Sequence, residues 1–249
     1  IQLSVASGEA PTEVTISAAP GELAPTDRHR RVVRLVAEVM QRQHYRQARL
    51  DDQLSGQIFE RYLEALDGNR SYLLAADVAE FERYRHELDD AIRAADLGPA
   101  FEMFRRVQQR NRERMARVIA LLDEEPDFTL DEEFRFDRSG GPWAASAAEL
   151  DEFWRQRVKN DALSLVLAGK DWPETREVLA KRYERVLKRI DQVSPDDVFE
   201  TFMNAYSHVF DPHSSYLSPR TSEEYNIAMS LSYEGIGATL QLVDDYGHH

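Results

Sequence analysis

No cysteine occurs anywhere in the 249 residues, which removes disulfides, thiolate metal sites and cysteine nucleophiles together. The same absence leaves the redox compartment open, since a cysteine-free chain is stable in either. Glycine and proline are sparse, at 11 and 10, too few for a low-complexity or collagen-like chain. Basic residues are outnumbered 31 to 45 by acidic ones, for a formal charge of −14. Attraction to nucleic-acid phosphates or to an anionic membrane surface needs the opposite balance, so no nucleic-acid partner is expected. No apolar run is long enough to span a bilayer. The sequence also lacks G-x-S-x-G, a P-loop and H-E-x-x-H. Its first residue is Ile rather than Met, which a removed secretory signal and an arbitrary boundary would explain equally.

What is present is a globular, helix-rich composition, 42% apolar and 31% charged, with enough length for a sizeable core. Residues 1–25 gather prolines, glycines and small residues and are expected to be a mobile leader. At Thr26 or Asp27 a capping residue precedes an apolar stripe through Val32, Val36 and Met40, so a first helix is predicted, ending near Tyr45. A second stripe from Leu54 to Leu66 stops at Asp67-Gly68-Asn69, where Gly68 is free to take positive φ. Asp77 is predicted to open a third helix running through Phe81, Tyr84 and Leu88. The longest pattern follows Gly98-Pro99 and reaches Leu122, ended by Pro126.

Residues 126–146 break this rhythm and read as an ordered connection pinned by Phe134, Phe136 and Trp143, a candidate subdomain boundary. Helical spacing resumes from Ala147 to Leu167, again after Pro173, and again at Ser194-Pro195-Asp196-Asp197, which has the form of a capping box. Past Ser222 a short helix leads to Ile236, Ala238, Leu240 and Leu242, alternating with the period of a half-buried strand. The fold class is therefore mostly α: an N-terminal multi-helix domain over 26–229, followed by a short β segment.

Three constellations invite functional readings. Gly235-Ile236-Gly237-Ala238 enters the alternating segment, where backbone N–H groups can turn into one concavity and capture a carboxylate beside a sheet edge. An ordinary bulge or hairpin turn explains the same residues. His208 and His213 flank Asp211-Pro212, but the Asp-Pro break denies them the i, i+4 spacing of a helical metal pair, so a capped, hydrogen-bonded turn is expected. Arg106, Arg110, Arg114 and Arg117 share one face of the long helix; interleaved Glu102 and Glu113 favour a solvated face over a phosphate grip. No cofactor or metal is expected.

Taken together, a set of phrases resembles the tail-specific proteases, or C-terminal processing peptidases. They include His44-Tyr45-Arg46, Ile58-Phe59-Glu60-Arg61-Tyr62-Leu63, Tyr72-Leu73-Leu74-Ala75-Ala76-Asp77-Val78, Asp137-Arg138, Pro142-Trp143 and Asp161-Ala162-Leu163. Further on come Asp211-Pro212-His213, Tyr216-Leu217-Ser218-Pro219-Arg220, Met229-Ser230-Leu231-Ser232 and Glu234-Gly235-Ile236-Gly237-Ala238. They run in order across roughly residues 30–246.

The resemblance implies a periplasmic serine protease built of an N-terminal helical domain, a PDZ domain, a Ser–Lys protease core and a C-terminal helical domain. It places residues 230–246 at the start of the PDZ domain and Gly235, Ile236, Gly237 and Ala238 on its carboxylate-binding loop. The catalytic serine and lysine would lie downstream, so no residue of this chain is expected to be catalytic. Gly247-His248-His249 resembles the start of a purification tag. The partners implied are unfolded or C-terminally exposed protein substrates and a helical-repeat lipoprotein adaptor. The competing expectation is a free-standing helical interaction module that shares only the scaffold.

Overall fold

The computed structural model describes residues 23–42, 44 and 48–223, and among these the regular structure is helical. The expected β segment, the carboxylate loop, the possible tag and residues 1–22 of the expected leader lie outside the described residues. The leader's last residues do not behave as a mobile tail. Leu23 is buried against the core, and the Arg105 guanidinium donates to its carbonyl oxygen at 2.9 Å.

Helix starts follow local chemistry. The Thr26 hydroxyl accepts from the His29 N–H at 3.3 Å, opening α1 (Asp27–Arg42); Tyr45, its expected end, lies outside the described residues. Asp51 caps α2 (Asp52–Asp67) by accepting from Leu54 N–H at 3.1 Å. At the end of α2 the expected positive φ at Gly68 is not taken: its φ is −60°, in the right-handed region. Glycine is required there for closeness, because a Cβ would stand 2.7 Å from the Glu64 carbonyl oxygen. The left-handed step falls on Arg70, at φ 51°, whose guanidinium stacks over the Trp143 ring at 4.9 Å.

The single helix predicted from Asp77 through Leu88 is three pieces. They are α3 (Ala75–Phe81), a 3-10 turn (Glu82–Tyr84) and α4 (Leu88–Ala94). The break is held from outside the segment. Ser55 on α2 accepts from Leu88 N–H at 2.9 Å, satisfying a donor that a continuous helix would have bonded internally. Arg85, in the gap, stacks over Phe59 at 4.6 Å and pairs with Glu60 at 2.6 Å. Periodicity along one chain carries no sign of these partners.

The spine is α5 (Gly98–Leu121), 24 residues and so about 36 Å long. Its first half gives Phe101, Met103 and Val107 to a core shared with α1, α2, α4 and α8 (Pro195–Phe210); its second half gives Met115 and Val118 to a smaller core with α6 (Ala147–Leu167) and α7 (Trp172–Asp191). In the larger core Tyr62 meets Phe202 edge to face at 5.2 Å and donates its hydroxyl to the Ala100 carbonyl at 3.0 Å. Gln108, between the two halves of α5, donates to the Ile190 carbonyl at the end of α7 at 2.8 Å. The capping box expected at Ser194 and Asp197 forms as read, opening α8.

Residues 122–146 link α5 to α6 without a named helix or strand, and side chains hold them in place. Asn69 grips their backbone from both sides, donating to the Phe136 carbonyl at 3.2 Å and accepting from Arg138 N–H at 2.9 Å. A lone parallel bridge joins Leu74 to Ala144. Of the three aromatics expected to pin this connection, Phe134 packs on Phe153 and Trp143 on the larger core, while Phe136, 65% exposed, meets Phe134 edge to face at 4.7 Å. The Asn69 clamp holds the backbone around it.

Candidate functional site

The residues singled out for substrate capture, Gly235, Ile236, Gly237 and Ala238, lie outside the described residues. Within them, the phrases shared with the proteases are joints between elements. Ile58, Phe59 and Tyr62 are fully buried in the larger core. Asp161 accepts the Tyr183 hydroxyl at 2.8 Å, tying α6 to α7. Tyr216 packs edge to face on Phe199 at 5.3 Å, and its N–H donates to Asn204 at 2.8 Å.

The densest joint follows α2. The buried Asp67 carboxylate accepts from the N–H groups of Ser71, Tyr72 and Leu73 at 2.8–3.0 Å and so shapes the turn into α3. Burial pushes this carboxyl above the usual range, against the pull of those three donors and of Arg138. The Ser71 carbonyl in turn accepts the Trp154 indole N–H at 2.8 Å, fixing α6 to the turn.

The row of arginines on α5 is not the solvated face its spacing suggested. Arg106 and Arg110 both reach Asp77, which is 1% exposed, at 3.0 and 2.9 Å, while Leu74 N–H donates to the same carboxylate at 3.0 Å. Burial works to raise the Asp77 carboxyl, but Arg110, Leu74 and Arg106 outweigh it and hold it below its ordinary value. Two turns on, Arg114 is 8% exposed and pairs with Asp151 of α6; Arg117, 64% exposed, lies 3.3 Å from the other oxygen of the same carboxylate. The row therefore follows the seam that α5 makes with α3 and α6. Glu113, which spacing does reveal, pairs with Arg110 at 2.9 Å, but Asp77 and Asp151 across the seam stand 29 to 37 residues away and could not be read from the helix alone.

The histidine segment is the expected turn. Asp211 accepts from His213 N–H at 2.9 Å, and the His208 ring lies 3.1 Å from the Ser215 hydroxyl. Lys159, 11% exposed at its side chain, directs its ammonium to Glu132 and to the Leu130 carbonyl, so it braces the connection rather than facing a substrate. Arg155 and Lys159 bring the Glu132 carboxyl down to about 2.

Two concave surfaces flank α6. A cleft of about 220 Å³ lies between the end of α5 and α6, lined by Arg114, Arg117, Val118, Leu121, Asp151 and Trp154 among others. A wider one, of about 360 Å³, is bounded by Arg135, Arg138, Glu149, Glu152 and Phe153, with charges of both signs. Both have the chemistry of binding surfaces; neither places a nucleophile beside a base.

Residues 36–220 match the family described as the tail specific protease N-terminal domain. A protein named tail-specific protease from Haemophilus influenzae (strain ATCC 51907 / DSM 11121 / KW20 / Rd) is 39% identical over 203 residues, which is 81% of this chain and 29% of that protein. The chain thus spans under a third of the length of this curated relative.

Proposed function

Since the chain belongs to the tail-specific protease N-terminal domain family, we propose that it is the substrate-handling helical region of a periplasmic serine endopeptidase that degrades or trims proteins from the C-terminus. The observation that carries this reading is the match over residues 36–220, which runs from the second half of α1 past the end of α8. In this proposal the Ser–Lys pair lies outside the 249 residues, and Gly235, Ile236, Gly237 and Ala238 form the carboxylate loop of a PDZ domain beginning near residue 230. The pairing of Asp77, Asp151 and Lys159 with neighbouring side chains supports a scaffold role for the helices. Leu35 and Val39, one turn apart and exposed on α1, suit the docking of a helical-repeat lipoprotein adaptor.

The test is cleavage. Incubated with an unfolded protein that ends in apolar residues, the 249-residue chain should leave the substrate mass unchanged, because on this reading nucleophile and base lie outside it. The encoding frame should continue into a Ser–Lys core. Cleavage that is lost on mutating a residue of this chain, or a natural reading frame that stops shortly after Tyr246, would sink the proposal.

A further inference from the structure

The cleft between α5 and α6 has a cationic side and an apolar side. One side is cationic: Arg114 and Arg117 share the single carboxylate of Asp151, which leaves one positive charge in excess. Arg114 is more than nine-tenths buried, yet its Nε has no hydrogen-bond partner. That Nε has no exposed surface, so Arg114 offers the cleft its positive charge rather than this donor. The other side is apolar, made by Val118, Ala120, Leu121 and Trp154.

Size narrows the occupant. At about 220 Å³ the cleft falls below the range usual for cofactor and drug-sized ligands, but it admits one large apolar side chain with a carboxylate attached. Arginine grips a carboxylate through paired N–H donors, and Arg117, 64% exposed, has donors left over for one. An internal stretch of unfolded chain brings an anion only through Asp or Glu, whose own side chains carry no apolar group beyond the carboxylate. A polypeptide's last residue, when apolar, carries both on one carbon.

We infer that this cleft is a second capture site for the C-terminal residue of an unfolded polypeptide, with Arg117 gripping the terminal carboxylate beside the charge of Arg114 and Leu121 covering the side chain next to Trp154. The choice of a protein tail as occupant rests on the protease reading above; the pairing of an anion with an apolar group does not. The cleft would hold a tail near the helical domain before the carboxylate loop of the PDZ domain takes it.

The experiment titrates the complete chain with a short peptide ending in a free apolar residue, following Trp154 fluorescence, against the same peptide amidated. Trp154→Phe identifies the part of the signal that comes from the cleft. Weak saturable binding is expected, with Kd on the order of 0.1–1 mM. Amidation and Arg117→Glu should each weaken it about tenfold or more. Arg117 is mostly exposed, so the variant should keep the parent's circular dichroism and melting behaviour. Binding that is indifferent to amidation, or equal in Arg117→Glu, overturns the site; the second result is also what binding only at Gly235–Ala238 would give. Cleavage of tails by the longer polypeptide is read separately, by product mass, so failure here and failure of the protease reading are distinguishable.

Discussion

Replacing Asp77 by Ala should destabilise the helical domain by about 2–3 kcal/mol. The carboxylate is 1% exposed and accepts from Arg106 at 3.0 Å, from Arg110 Nε and Nη2 at 2.9 Å each, and from Leu74 N–H at 3.0 Å. Removing one partner of a fully buried pair costs about 3–5 kcal/mol, because the orphaned charge stays in the interior. Here the two guanidinium groups are 35% and 27% exposed and can turn toward water, which brings the figure down. The lost cap at the start of α3 contributes about 1 kcal/mol of what remains.

Urea unfolding followed by far-UV circular dichroism measures the change, with an unaltered slope expected. The pH dependence supplies a second check. A carboxyl whose folded value is depressed stabilises above its unfolded value, about 4, and loses that contribution as pH falls through the folded one. The gap between parent and variant should therefore be full at neutral pH and close in acid. A loss under about 0.5 kcal/mol, or a gap that acid leaves untouched, would refute the account of Asp77 as the anchor of α5.

Burial drives the phenols of Tyr62, Tyr183 and Tyr206 well above their ordinary value near 10, with Asp161 adding to the effect at Tyr183. Above about pH 10 the unfolded chain ionises these groups first, so stability should fall as pH rises, and tyrosinate absorbance should grow together with loss of helix. Ionisation of all ten tyrosines in a fully helical protein would contradict their placement. Gly68→Ala should cost about 1–2 kcal/mol, because its Cβ would press on the Glu64 carbonyl oxygen; an unchanged urea midpoint would show that the turn yields freely.

Features fixed by neighbours in sequence could be read before the fold was known. The start of α1 at Thr26 and the Ser194–Asp197 box depend on contacts three residues apart, so spacing alone exposes them. The division of the third helix was not legible, because the group that seals the break is Ser55, 33 residues before Leu88. The arginines of α5 failed for a related reason: Glu113 was in view, but Asp77 and Asp151, which take the row into the seam, were not. The cleft beside Trp154 was equally hidden, since its cationic residues come from α5 and its carboxylate and indole from α6. The carboxylate loop at Gly235–Ala238 rests on family resemblance, which needs no geometry.

That α5 serves both cores has a consequence for which changes of length the chain can accept. Val107 faces the larger core and Met115 the smaller, so the residues between them set the phase of one bundle against the other. Deleting one residue there would swing the α6–α7 bundle by about 100° and draw it in by about 1.5 Å. Gln108 would then lose Ile190, and Trp154 would lose the Ser71 carbonyl. Residues 124–127, which precede Phe128 and the Lys159 brace at Leu130 and Glu132 and have no named helix or strand, impose no such phase and can absorb insertions at the entropic cost of a longer loop. Among natural variants of this domain, gaps should therefore gather before Phe128 and avoid the eight residues from Gln108 to Met115.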